Sequence, residues 1–215
     1  MRTFVKFCGL RDADAIAEVP DGGAAGFVVE CPASPRNLTI ADAARLIESV
    51  PAGIEAWAVV VQPPAELIHR LFDEMGVDRV QVYGPIPEGL EYLEIHHLVP
   101  SVPVRTPGTE APDPKVPPAE DYSRLHLDCG GTALPGGSGV RPDWEVCERI
   151  VDQNPGRKVI LAGGLTAENV AEAMARVHPW GVDVSSGIEA SPGIKDVGRM
   201  RAFRKAVEEF EASHA

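Results

Sequence analysis

Short apolar runs recur along the chain, separated by stretches in which apolar residues return every third or fourth position. The runs are TFVKFC at 3–8, AAGFVVE at 24–30, EAWAVVV at 55–61, RVQVYG at 79–84, HLVPSVPVR at 97–105, SRLHLDC at 123–129, KVILA at 158–162 and GVDVS at 181–185. Each has the length of a strand and leads into turn-forming residues. The intervening stretches read as helices. DADAIAEV has Asp12 or Asp14 placed to cap it, TIADAARLIESV has Thr39, and PAELIHRLFDEM opens on prolines. EGLEYLEI is a weaker helix, DWEVCERIV and TAENVAEAMARV are stronger ones, and a long terminal helix covers about 196–213.

Strand and helix alternate nearly throughout, which predicts a parallel sheet with helices outside it. Eight such units in one α/β domain over 1–215 predict closure into a (β/α)8 TIM barrel. An open doubly wound sheet is the competing arrangement. A dinucleotide-type sheet wants GxGxxG after its first strand, and here that turn reads CGLRDA. Residues 106–122 break the rhythm. They hold five prolines, each fixing its own φ and restricting its predecessor, so a Pro-rich surface loop is expected in place of helix five. The fifth strand is a poor one, because Pro100 and Pro103 remove ladder donors.

Composition narrows the function. The 215 residues are 44% hydrophobic and 24% charged, the balance of a globular protein, and a net charge of −12 argues against nucleic acid or an anionic membrane surface as partner. No apolar run is long enough to span a bilayer, and the N-terminus leads directly into a strand without a signal-peptide layout. The four cysteines, Cys8, Cys31, Cys129 and Cys147, show neither CxxC pairing nor zinc spacing, so reduced thiols in a cytoplasmic protein are expected.

Candidate chemistry gathers at the C-terminal ends of the strands, the face where barrels of this kind carry their sites. The seventh run ends in Gly163-Gly164 and the eighth in Ser185-Ser186-Gly187. Small residues let backbone N–H groups approach an anion, and two such turns one βα unit apart suit a phosphate. The same glycines also fit plain turns. Strand one offers Lys6 and Cys8 on one face, strand two leads to Arg36, and strand four ends in Gln81 and Tyr83. Strand six ends in Asp128, and strand eight carries Asp183. A thiolate can serve as base where cations stabilise it, and a carboxyl in a partly apolar site can serve as acid. Each has a plainer part open to it. Cys8 fits a small buried apolar residue, Asp128 a turn-holder, Arg36 a surface ion pair, and Lys6 a partner for Asp183.

VKFCGL at 5–10, SPRNLT at 34–39, VQVYG at 80–84 and LHLDC at 125–129 are similar to motifs of the phosphoribosylanthranilate isomerase family, the βα-barrel enzymes of tryptophan biosynthesis. GGSGVRPDW at 136–144, LAGGLTAENV at 161–170 and GVDVSSGIEASPGIKD at 181–196 continue the resemblance in the same order. It implies an isomerase performing an Amadori rearrangement of N-(5-phosphoribosyl)anthranilate, with no metal and no cofactor. Residue by residue it implies Cys8 as general base, Asp128 as general acid and Arg36 on the anthranilate carboxylate. Gly163, Gly164, Ser185, Ser186 and Gly187 would take the phosphate; the strand-end positions add Lys6, Gln81, Tyr83 and Asp183 as candidates to line the substrate. The expected partner is a phosphorylated small molecule, and the expected assembly a monomer or homodimer. Two departures bear on substrate detail: Tyr83 stands where the family has a histidine, and GGTALP precedes the family-like GGSG. They leave open a related phosphoribosyl aldose–ketose isomerase with an altered substrate, and a barrel that binds a phosphometabolite without turning it over.

Overall fold

The computed structural model describes residues 2–129 and 139–214; most of the glycine-rich loop expected after strand six, 130–138, lies outside the described residues. Eight strands close on themselves, all in parallel: β1 Phe4–Cys8, β2 Ala24–Val29, β3 Glu55–Val61, β4 Arg79–Tyr83, β5 Leu98–Val104, β6 Arg124–Cys129, β7 Lys158–Leu161 and β8 Gly181–Val184. Closure is made by β1, which pairs with β2 at Lys6↔Ala24 and with β8 at Lys6↔Asp183. The open doubly wound sheet is thereby excluded.

Helices wrap the outside: α1 Ala13–Ile16, α2 Ile40–Ile47, α3 Ala65–Met75, α4 Tyr92–His97, α5 Trp144–Asp152, α6 Val170–Val177 and α7 Val197–Ser213. Asp12, Thr39, Asp143 and Asp196 each accept a first-turn backbone N–H, so four helices start where a short oxygen-bearing side chain can cap them. α1 is shorter than expected, and α6 starts at Val170 because Thr166–Asn169 form a turn. Asn169 pins that turn, accepting from Thr166 N at 2.8 Å and donating to Gly164 O at 2.9 Å.

Residues 106–122 carry no helix or strand. The connection is nonetheless tied down: Asp113 receives Arg105 at 2.7 Å and Arg149 of α5 at 3.0 Å, and Arg157 donates to Pro117 O at 2.8 Å. β5 pairs on both sides despite its prolines. Three small elements escape any period: a two-residue strand Asn37–Leu38 beside β2, a 3-10 turn Ser186–Ile188, and a hairpin of Glu189–Ser191 with Ile194–Lys195.

Alternation along the strands sorts the core. One face of each strand packs outward on the helices, as with Val5, Phe7, Phe27, Val60 and Val82. The other face fills the barrel in tiers. The lowest holds Phe4, Ala24, Trp57, Val99 and Ile160, with Arg124 set among the rings of Phe4, Trp57 and Trp180 and paired to Glu55. The highest apolar tier is Cys8, Val28 and Val59, against Cys31 and Tyr83. Between them lies a polar tier of Lys6, Gln81, Ser101, His126 and Asp183, all buried.

Candidate active site

The cavity above the upper tier is lined by Cys8, Arg36, Tyr83, Asp128, Gly163, Gly164, Asp183, Ser185 and Ser186, with Val28, Val59 and Leu165 as apolar walls. β1 and β6 deliver Cys8 and Asp128 to it from different sides of the barrel. Asp128 is fixed at both oxygens: the Tyr83 hydroxyl donates to Oδ2 at 2.6 Å, and Cys129 N donates to Oδ1 at 2.7 Å. Tyr83 thus touches the carboxyl directly. Burial, then the Asp128 charge, pushes its phenol well above the usual range, so it stays a donor. Gly163, at φ +88°, leaves the space beside Asp128; a Cβ there would lie 3.0 Å from Oδ1.

Beneath Cys8 the polar tier is one hydrogen-bonded group. Lys6 Nζ lies 3.1 Å from each Asp183 oxygen, so the alternation that put Lys6 inward also put it on Asp183. Gly26 makes room for it, since a Cβ there would meet Lys6 Cε at 3.0 Å. His126 Nε2 lies 2.9 Å from Asp183 Oδ2, and its Nδ1 lies 3.1 Å from Ser101 Oγ and 3.3 Å from Gln81 Nε2. Burial raises the Asp183 carboxyl, but Lys6 and His126 outweigh it and the group stays ionised, held below the ordinary value. Burial opposes the Lys6 charge and Asp183 restores it, leaving Lys6 raised. Burial also pushes the Cys8 thiol up; Lys6 and Lys195 pull it back only in part, and Asp183 adds to the rise.

At the rim, Arg36 reaches Glu189 through two parallel bonds of 2.7 Å, both groups buried. Lys195 donates to Glu189 at 2.9 Å and to Ser185 O at 3.0 Å, and Ser185 Oγ donates to Cys8 O at 3.1 Å. The hairpin after β8 therefore braces both Arg36 and the β1 end. Glu189, Lys195, His126 and Ser101 were not among the residues singled out from the sequence. For His126 the signal existed: it stands two positions before Asp128 in LHLDC, hence on the same inward face.

At the opposite edge the two small-residue turns meet. A Cβ on Gly187 would lie 2.0 Å from Leu165 O, so the backbones of the two loops touch there. Gly187 lines an adjoining hollow with Gly164, Thr166, Ser186 and Arg199 rather than the main cavity. Among the described residues no group of three or more His, Cys, Asp or Glu is placed to hold a metal, and no helix is long and apolar enough to cross a membrane.

Comparison with known proteins gives one answer. The family model described as N-(5'phosphoribosyl)anthranilate (PRA) isomerase matches residues 5–206. An N-(5'-phosphoribosyl)anthranilate isomerase of Chelativorans sp. is 38% identical over 221 residues, covering 96% of each chain. The crystal structure of phosphoribosyl anthranilate isomerase from Thermotoga maritima superposes with a TM-score of 0.74 at 27% identity, over 96% of this chain and 99% of that one. A further structure of such an isomerase, in complex with reduced 1-(o-carboxyphenylamino)-1-deoxyribulose 5-phosphate, superposes with a TM-score of 0.71 at 26% identity, over 96% and 99%.

Proposed function

This chain belongs to the N-(5'-phosphoribosyl)anthranilate isomerase family, and from that membership we propose that it converts N-(5-phosphoribosyl)anthranilate to 1-(2-carboxyphenylamino)-1-deoxyribulose 5-phosphate in tryptophan biosynthesis. The observation that carries the catalytic assignment is that the Cys8 thiol and the Asp128 carboxyl line a single cavity edged by both small-residue turns. Asp128 protonates the ribose ring oxygen as the C1–O bond breaks, and the anilino nitrogen supplies the electron pair that makes C1 a protonated imine. Cys8 then removes the proton from C2; the C2–H electron pair forms the C1–C2 double bond as the imine π pair returns to nitrogen, and the resulting enolamine becomes the ketone by gaining a proton at C1 and losing that of its 2-hydroxyl. Burial pushes the thiol up and favours its protonated form. A cation forming beside it favours the thiolate, so ring opening prepares the base.

Phosphate at the turns of Gly163, Gly164, Ser185, Ser186 and Gly187 anchors the substrate far from the reacting carbon, and Arg36 faces its carboxylate. Binding energy from both ends orients the sugar. Val28 and Val59 supply apolar wall for the aromatic ring, with Tyr83 kept on Asp128.

The test is turnover of N-(5-phosphoribosyl)anthranilate by Cys8→Ser and Asp128→Asn. Each variant should lose at least about a hundredfold in kcat, the lower end for acid–base catalysis. Each should keep its affinity for a reduced product analogue and its unfolding midpoint. Near-full turnover in Cys8→Ser would remove the thiol from the mechanism and leave Lys6, on the same face, as the next candidate base.

A further inference from the structure

The polar tier under the site holds a histidine that the chemistry above does not use. His126 is fully buried, projects from β6 two positions below Asp128, and meets Asp183 at 2.9 Å. A carboxylate can only accept, so the Nε2 that meets it carries a proton; Nδ1 then accepts a hydrogen bond from the Ser101 hydroxyl or Gln81 Nε2–H. The same oxygen, Asp183 Oδ2, also receives Lys6 Nζ at 3.1 Å. Lys6 in turn sits two positions below Cys8 on the inward face of β1. The groups form one file: His126, Asp183, Lys6, Cys8.

The file matters because its last two charges act on Cys8 in opposite directions. A cation at Lys6 favours a thiolate, and an anion at Asp183 opposes it. How much of the Lys6 charge is left for Cys8 depends on how well Asp183 is satisfied from its other side, and His126 is the side chain there. We infer that His126 is a positioning residue for the base: by donating to Asp183 it limits the hold of that carboxylate on Lys6, and so sets the availability of the Cys8 thiolate. This rests on the reading of Cys8 as base, but the coupling itself is a property of the thiol and can be measured without substrate. Burial pushes the Cys8 thiol up, and Lys6, Asp183, Lys195 and Tyr83 act on it from β1, β8, the hairpin and β4. Asp183 and the Tyr83 ring, its centroid 5.9 Å from that of the imidazole and steeply inclined to it, flank His126.

The experiment is peptide-resolved alkylation of Cys8 by iodoacetamide as a function of pH, on the whole chain. His126→Phe keeps a ring and removes the donor; His126→Gln carries an N–H out to the reach of Nε2. At neutral pH alkylation of Cys8 should slow at least about threefold in His126→Phe and return to within about twofold of the parent in His126→Gln. A rate in His126→Phe equal to that of the parent overturns the inference. If His126→Phe does not fold, His126→Asn, too short to reach Asp183 from Nε2, carries the same expectation. Turnover separates this from the reading it rests on. If His126→Phe slows alkylation but leaves kcat at neutral pH unchanged, the coupling stands and Cys8 is not the base; if both fall, KM should change little and kcat should recover as pH rises.

Discussion

Arg36 shows how a single side chain can be fixed in place before it does any work. Its Nε and Nη2 both meet Glu189 at 2.7 Å, which sets the plane of the guanidinium, and Lys195 shares the same carboxylate. Burial works against the Glu189 charge, and Arg36 with Lys195 keeps it ionised below the ordinary value. A lysine at 36 cannot make that parallel pair and cannot present a fork to a substrate carboxylate. Arg36→Lys is expected to weaken binding of a reduced product analogue by about 1–3 kcal/mol, the scale of a hydrogen bond to a charged group. The loss should shrink for an analogue without the anthranilate carboxylate; calorimetry on the pair of compounds checks it, and equal losses would place Arg36 elsewhere. Tyr83→Phe isolates the other fixed contact. It removes the hydroxyl 2.6 Å from Asp128 with little change of shape, and kcat should fall more than KM changes, because the contact orients a reacting group rather than a binding one. A change in KM alone would put Tyr83 on the substrate instead.

The two small-residue turns belong to the element scale, because neither βα loop makes that edge of the cavity alone. Gly187 abuts Leu165 O so closely that a Cβ would fall 2.0 Å from a backbone oxygen, which no rotamer change can relieve. Gly187→Ala must therefore part the β7 and β8 loops. Inorganic phosphate at tens of millimolar should raise the melting temperature of the parent through binding to the folded state, and that rise should be lost in Gly187→Ala. An undiminished rise in the variant would place phosphate elsewhere. This edge was legible in the sequence, since small residues ending two successive strands carry their own reason. Lys6, Cys8, Gln81, Asp128 and Asp183 were legible too, because period two sends alternate residues inward. The hairpin was not. Its strands of two and three residues are too short to show a period, so nothing in IEASPGIKD marks Glu189 and Lys195 as braces for Arg36. The partnership of Lys6 with both Asp183 and His126 depends on barrel closure, which local pattern suggests but does not measure. β5 was underrated for a physical reason: missing donors at Pro100 and Pro103 weaken a strand, yet a closed barrel gives it neighbours on both sides.

Taken whole, the molecule buries several neutral or paired groups whose ionisation burial opposes, and nearly all point to one sensitivity. Cys147, among the helices, is pushed by burial from 9.0 to about 12. Burial likewise raises the Cys8 thiol and the Tyr83 phenol, and the Asp183 pairing holds Lys6 protonated beyond its usual range. For each of these groups the folded state keeps a proton that the unfolded chain gives up first. Their contribution to stability is complete below the unfolded values, near pH 9 for the thiols, and is lost as pH rises toward the folded ones. Between those limits the unfolded chain binds fewer protons, so the unfolding free energy must fall, at roughly 1.4 kcal/mol per pH unit for each group in its window. Net charge is already −12 at neutral pH, and further deprotonation adds self-repulsion in the same direction. On the acid side the signs reverse. Asp183, Glu55 and Glu189 are held below their ordinary values, so their contribution is intact above about pH 5 and is lost as pH falls through the folded values. The urea midpoint should therefore be broad between these limbs and fall steadily from about pH 9 to about pH 11. Cys147→Ala, which removes a titrating group outside the cavity lining, should lower the midpoint at neutral pH through lost packing and make the alkaline fall shallower. A parent profile flat to pH 11, or an unchanged alkaline slope in Cys147→Ala, would show that the buried thiol does not resist ionisation as its surroundings require.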